Sequence, residues 1–423
     1  MRPRGTRDFP PDEMRRRRYI ENILRELFQS YGYQEIETPL FEHLELFTIK
    51  TGEELVKQIY AFNDKSRRDI ALRPELTAPV IRMYLEHFQK APKPLKFYYT
   101  GPCFRYEEPQ MGRWRQFYHF GAELIGTQEP EADAEVIALA TKAIEKIGIK
   151  NFEVHVGHLG VLRGVLQEAK IENQYQDKVM GLIDKGDIEK LKIYLEKLQV
   201  KEEVRNLLLK LIELHGQPRE VLDKSKLLLK DKKYAMEALV KFKQILEWLE
   251  VFNLKKYFVN LGIARGLEYY AGMVFEIYAS GLGAQKQICG GGSYKLAELF
   301  GGEVVGSTGF ALGFDRIMEA IKVQNVSIPE GPQIKAIIAP TSEELRFEAV
   351  KIAQRLRESN IPTDFDLMRR KLSKILDYAN AMKIPYVIII GPKEIKQNKI
   401  VLRDMKTGFQ KEVEVSKIIE ILK

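Results

Sequence analysis

A chain of 423 residues, 45% hydrophobic and 30% charged, has room for two or three domains with cores of their own. With 30 Gly, 18 Pro and two Cys it is neither collagen-like nor disordered, nor a disulfide-stapled miniprotein. The net charge of +8 is concentrated: residues 331–423 hold 18 Lys and Arg against 12 Asp and Glu, which suits either a polyanionic partner or plain solubility.

No apolar run approaches the roughly 20 residues of a membrane span, and Met1–Phe9 lacks an apolar signal core. A cytoplasmic protein with no membrane partner is expected. Cys103 and Cys289 form no C-x-x-C pair, and the six histidines show no H-E-x-x-H spacing. Two free buried thiols and no metal site from a protein motif are therefore expected. His155 and His158, three apart, read as structural.

Along the chain, Ile20, Ile23, Leu24, Leu27, Phe28 and Tyr31 predict an amphipathic helix over 14–31, stopped by Gly32. The run Arg15–Arg18 before that stripe reads as a solvated first turn, with nucleic-acid contact as the alternative. A short strand over 34–39 follows, ended by Pro39. Between 95 and 125 two strands flank the charged loop Glu107–Arg113. Helical periodicity dominates 132–147 and roughly 160–250. Strand patterns return over 257–278 and 284–291, followed by a helix near 310–322. Residues 326–332, rich in Pro, Gly and Ser, form the linker candidate. Strand and helix then alternate to the end of the chain, which predicts a compact α/β module after an α+β body.

The stretch Phe104–Phe117 carries most information. Alternation puts Arg105 and Phe117 on strands facing one surface, with Arg113 on the loop between them. Guanidinium forks pair with phosphate oxygens and a flat ring stacks on a base, so the hairpin suits a nucleotide. A surface hairpin with salt bridges is the plain alternative.

This run resembles motif 2 of class II aminoacyl-tRNA synthetases, in the form found in the histidyl-tRNA synthetase family. Gly32–Pro39 with the preceding helix resembles motif 1, the dimer-interface element, and Thr308–Arg316 resembles motif 3. Ala264–Tyr270 is similar to the histidine-specific R-G-L-D-Y-Y signature, and Arg73–Ala78 matches an R-P-E-x-T-A segment. Residues 377–380 and 404–408 resemble the family's anticodon-binding domain. The motif wording is closest to archaeal members.

The resemblance implies an α+β fold: a class II antiparallel-sheet catalytic domain over 1–325, containing a helical insertion over 165–250, plus a C-terminal α/β anticodon-binding domain over 333–423. It implies ATP-dependent attachment of histidine to tRNA(His) through a histidyl-adenylate, in a homodimer using ATP with Mg2+. Arg105 and Arg265 would clamp the α-phosphate, Arg113 and Arg316 the distal phosphates. Phe117 would stack on adenine, with Glu107 near its edge. Around L-histidine it places Glu75, Thr77, His119, Glu123, Arg105, Arg265, Tyr269, Tyr270 and Tyr294, and at the tRNA acceptor end Gln110 and Arg115. Taken singly, Glu75 also reads as a helix-start carboxylate and the Tyr pair as half-buried strand aromatics. For Gly290-Gly291-Gly292 the resemblance implies a close approach of backbone to the amino-acid pocket, near Tyr294, with a strand-to-turn cluster as the equal alternative.

The chain departs from the family's usual Gln at His119, Asp at Glu268, Thr at Ala271 and R-Y-D at Ser293-Tyr294-Lys295. Imidazole accepts a hydrogen bond only while neutral, so His119 in the ammonium site predicts that histidine affinity falls with pH. The alternative functions are a non-catalytic relative such as an ATP phosphoribosyltransferase regulatory subunit, or a class II synthetase of altered specificity. The arginine set and the basic last module favour the ligase.

Overall fold

The computed structural model describes residues 1–49, 56–108, 113–264, 269–283, 286–329 and 334–423. The chain forms two compact units, Met1–Ser327 and Ile328–Lys423. In the first, the strands in chain order are β1 (Gln34–Glu35), β2 (Phe41–His43), β3 (Ala61–Asn63), β4 (Asp69–Leu72), β5 (Leu95–Phe104), β6 (Gln116–Ile125), β7 (Phe152–His158), β8 (His215–Gly216), β9 (Phe258–Asn260), β10 (Tyr270–Ala279), β11 (Gln287–Tyr294) and β12 (Ser307–Gly313). Nine of them make one sheet in the order β1-β5-β6-β12-β11-β10-β7-β9-β8. The run from β5 to β7 is antiparallel throughout. Strands β2, β4 and β3 form a small separate sheet.

Period-two alternation divides the large sheet into unlike faces. Tyr98, Phe120, Phe275 and Phe310 point to one of them and are buried. There Phe28, from the helix Pro11–Ser30, meets Phe120 edge-on at 5.0 Å, Tyr98 at 5.8 Å and Phe310 at 5.7 Å. Each such ring withdrawn from water contributes roughly 1.5–3 kcal/mol. The helix Pro130–Lys146 packs on the same layer against β10, β11 and β12. The other face is lined across β5, β6, β12, β11 and β7 by Gly101, Gly121, Gly309, Ala311, Gly292 and Gly157. Gly121 pairs with Ala311 and Gly309 with Gly292. The absent side chains leave space that Arg73, Tyr99, Glu123 and Tyr270 fill over Gly101, Gly121, Gly309 and Gly292.

Three expectations change. Residues 307–313 are the strand β12 and the helix is Phe314–Val323, because the glycines there pack flat between β6 and β11. Gly290–Gly292 lie inside β11 rather than at a turn. A Cβ on Gly292 would stand 2.4 Å from the Met273 carbonyl and 3.0 Å from the Tyr270 ring. The Arg15–Arg18 run is not wholly solvated, since Arg17 is buried among the rings of Phe9, Tyr118 and Phe314 and ion-paired to Asp315 at 2.7 Å. Its partner is almost 300 residues away, so helical periodicity gives no hint of it.

Residues 159–251 are helical apart from the two-residue strand β8, which joins the edge of the large sheet. In the second unit β13 (Ala336–Pro340), β14 (Thr363–Phe365), β15 (Tyr386–Ile390), β16 (Lys399–Asp404) and β17 (Gln410–Glu414) pair in the order β14-β13-β15-β16-β17. The first three are mutually parallel and the last two antiparallel. Ile338, Ile388 and Ile400 pack on one face with the helices Arg346–Glu358 and Ile418–Leu422, and Ile337, Val387 and Ile389 on the other with Leu372–Ala381. No described helix is long and apolar enough to cross a membrane.

Candidate active site

The glycine-lined face of the sheet carries two clusters toward opposite ends of β6. Phe117 and Glu123 stand six positions, about 20 Å, apart along the strand.

At one end Glu123 is fully buried and accepts three hydroxyl hydrogen bonds. Thr77 Oγ1 donates at 2.8 Å and Tyr99 at 3.0 Å to one carboxylate oxygen, and Tyr294 at 2.6 Å to the other. Gly309 makes this possible: a Cβ there would coincide with the carboxylate. Burial pushes the Glu123 carboxyl up to about 8, against the pull of the Tyr294, Thr77 and Tyr99 hydroxyls. The rings of Tyr269, Tyr270 and Tyr294 form a triad with centroids 4.9–6.3 Å apart. Tyr269 and Tyr270 are buried rather than half-buried, and the Tyr269 hydroxyl lies beside Thr77, Glu75 and Glu123 without a hydrogen bond of good geometry. A buried hydroxyl so weakly held beside a carboxylate fits a ligand with both donor and acceptor nitrogens.

Glu75 borders this cluster. Its carboxylate caps the helix Thr77–His87, accepting from the Thr77 amide and, at 3.0 Å, from the Ala78 amide. Burial raises its pKa, with those amides and Arg105 opposing. The capping role and a binding role coexist, since each oxygen retains a lone pair. Arg73 is structural: buried, it donates to the carbonyls of Thr38, Pro39 and Pro102 and ties the segment after β1 to β5.

At the other end Arg105 donates Nε–H to the Pro74 carbonyl at 2.9 Å and lies 5.3 Å over the Phe117 ring. Arg113 is paired with Glu107. Arg316 opens the helix Phe314–Val323, where Nη1 donates to the Gln287 carbonyl at 2.9 Å. Burial lowers its pKa first, Glu107 opposes, and the charges of Arg105 and Arg113 add to the lowering. Guanidinium groups close enough to repel one another make a site that an anion relieves. Arg115 is held back by its own chain, with Nε–H on the Glu107 carbonyl at 3.0 Å and the guanidinium 3.8 Å over Tyr106. Gly5, at φ +82°, lies so close that a Cβ would meet the Arg115 stem at 2.6 Å. Arg265, Glu268 and Gln110 lie outside the described residues.

The sequence missed Tyr99. Its signal was present, because antiparallel pairing of 95–104 with 116–125 places it beside Gly121 and diagonal to Glu123. Ser293, in place of the family's Arg, donates to Asp133 at 2.8 Å, and burial raises that carboxyl to about 6. His158 is buried against Phe242, which lowers its pKa to about 4. Cys103 and Cys289 are buried and are not joined in a disulfide.

The family profile for histidyl-tRNA synthetase matches residues 5–317. The chain belongs to the histidyl-tRNA synthetase family. An anticodon-binding-domain profile matches residues 335–423. The histidine–tRNA ligase of Methanocaldococcus jannaschii is 48% identical over 99% of this chain and 98% of its own, and that of Archaeoglobus fulgidus 46% identical over 100% and 99%. Among solved structures, histidyl-tRNA synthetase from Nostoc sp. superposes with a TM-score of 0.80 at 26% identity, covering 100% of this chain and 98% of its own. A Bacillus halodurans protein described as an ATP phosphoribosyltransferase regulatory subunit/histidyl-tRNA synthetase reaches 0.78 at 26% identity, over 92% and 97%. The fold is therefore shared with a protein of that description as well as with a histidyl-tRNA synthetase.

Proposed function

We propose that the two clusters on the glycine-lined sheet face are the histidine and ATP sites of a ligase that attaches histidine to tRNA. The observation that carries this is the meeting of Thr77, Tyr99 and Tyr294 on buried Glu123, with the Arg105–Arg113–Arg316 group along the same strand pair. In this reading Glu123 accepts an imidazole N–H, and the tyrosine triad encloses the ring. Glu75 and Thr77 hold the α-ammonium. Phe117 stacks on adenine, Glu107 takes its edge, and Arg105 with Arg265 holds the α-phosphate.

The substrate carboxylate then attacks the α-phosphorus and pyrophosphate leaves. Fixed cations stabilise the charge that builds on the phosphoryl oxygens, and positioning supplies much of the remaining rate. A terminal tRNA hydroxyl displaces AMP in the second step. Mg2+ would neutralise charge on ATP. Among the described residues no three His, Cys, Asp or Glu side chains group to hold an ion, so phosphate oxygens would be its main ligands.

Residues 1–325 serve here as the catalytic domain, 165–250 as its helical insertion and 333–423 as the anticodon-binding domain, with Gln110 and Arg115 near the acceptor end. A homodimer through the motif 1 segment is supported by Leu40 and Phe41, both exposed in the stretch of chain that follows β1.

The test is ATP–pyrophosphate exchange with the purified full chain. Exchange dependent on histidine, and absent with the other amino acids, is the expected result. A regulatory-type relative would give none. Arg265→Ala should cut that exchange by about 10²–10³-fold, the usual cost of one transition-state donor, with melting temperature and tRNA binding unchanged. Retention of most of the exchange would remove Arg265 from its assigned role.

A further inference from the structure

His119 stands midway along β6, on the face shared by Phe117 and Glu123. Its partners in both neighbouring strands are glycines, Gly101 on β5 and Gly313 on β12. Two of the ring's contacts come from Phe117, two residues back on the same strand, and from Cys103, diagonal to it on β5. Phe117 meets it edge-on at 5.1 Å, and Cys103 Sγ lies 3.6 Å from Nδ1. That separation is within reach of a sulfur hydrogen bond. Cys103 is fully buried, and burial pushes its thiol up to about 12 against the pull of Arg73 and Arg105. The sulfur thus keeps its hydrogen at working pH, and a buried hydrogen needs an acceptor.

We propose that Cys103 is a positioning residue for His119: Sγ–H donates to Nδ1, which fixes the ring and places its proton on Nε2. A neutral imidazole has one donor and one acceptor nitrogen, so the bond made at one assigns the other. The nitrogen remote from Cys103 is then a donor. It suits an anion, the substrate carboxylate or an α-phosphate oxygen, rather than the ammonium that an amide would accept at this position. This is the reverse of the role drawn from sequence alone. The charged groups gathered about the pair are Arg73, which lies over Gly101 on the same face, Arg105 over Phe117, Glu75, whose charge is felt by both Cys103 and Arg105, and Asp315, whose charge also reaches Cys103. Glu123 lies two alternating positions along the strand.

The inference rests on the proposed histidine site, and the assay separates the two. If that site is wrong, the wild type shows no histidine-dependent exchange. Given exchange, KM and kcat are compared for Cys103→Ala, Cys103→Ser, His119→Gln and the double variant Cys103→Ala/His119→Gln. Cys103→Ala should raise KM for histidine about three- to tenfold, the worth of one neutral hydrogen bond, with kcat little changed. Cys103→Ser, which restores a donor, should recover most of that loss. In the His119→Gln background Cys103→Ala should have no further effect. Between pH 8 and 6 the wild type should lose no more histidine affinity than His119→Gln does. Equal losses from Cys103→Ala in both backgrounds, a serine as poor as alanine, or an extra acid loss confined to the wild type would each overturn the proposal. His119→Gln, an exchange to the family's usual residue, serves if a cysteine variant fails to fold.

Discussion

Glu123→Gln is expected to lower kcat/KM for histidine in pyrophosphate exchange by about 10²–10³-fold, through exchange of a charged acceptor for a neutral one in a sealed pocket. The side chain keeps its shape: Thr77 and Tyr99 can still donate to the amide oxygen, while the Tyr294 hydroxyl turns to accept from the new NH2, so the fold should persist. The charge state is what changes. In the empty pocket the carboxyl titrates at about 8, raised from 4.5 by burial. An imidazole or ammonium donor favours the carboxylate, so binding near pH 7 should release a proton. Calorimetry in two buffers of different ionisation enthalpy reads that proton directly: close to one for the wild type, none for Glu123→Gln.

The same shift has a consequence for stability, and its sign is fixed. Above pH 4.5 the unfolded chain loses this proton while the folded chain keeps it until about pH 8. The folded state binds more protons across that window, so stability falls as pH rises through it and levels off beyond. Asp133, raised to about 6, adds to the slope at its acid end. Glu123→Gln should flatten the melting temperature between pH 5 and 8 relative to the wild type. An unchanged slope would mean that Glu123 is already ionised in the empty pocket.

What the sequence revealed and what it concealed have one cause. Motifs such as Arg73–Ala78 and Phe104–Phe117 are legible because their chemistry lies within a few consecutive residues, where spacing fixes direction. The alternation in the last 90 residues is legible for the same reason: each strand and helix there carries its own periodicity. Partners brought in by distant segments leave no such trace. Thr77, Tyr99, Glu123 and Tyr294 meet only after β6 and β12 pair and β11 follows. The need for Gly101, Gly121, Gly309 and Gly292 is invisible until four strands are laid side by side, when each proves to make room for a neighbouring side chain, that of Arg73, Tyr99, Glu123 and Tyr270 in turn. Residues 307–313 misled because glycine lowers any periodic signal, and the following helix lent them its own.

Removal of the Asp315 carboxylate should be the most destabilising single change on the back of the sheet. Asp315 is 3% exposed, accepts from Arg17 at 2.7 Å and from the Tyr118 amide at 2.7 Å, and is also bonded by Arg7. It binds the chain's first residues, the first helix, β6 and the helix Phe314–Val323 to one point. Asp315→Ala would leave two buried guanidinium groups uncompensated, a cost of about 3–5 kcal/mol. Arg17→Met should cost clearly less, because an apolar chain suits the rings of Phe9, Tyr118 and Phe314 and Asp315 keeps Arg7 and an amide. Denaturant midpoints of the two variants give the ordering, and equal losses would refute it. Function should follow stability here by a specific route. Asp315 lies in the first helical turn, one residue before Arg316, so its removal frees the end of the helix that aims that guanidinium at the anion site. Asp315→Ala should therefore raise KM for ATP more than KM for histidine, even at temperatures where the variant remains folded.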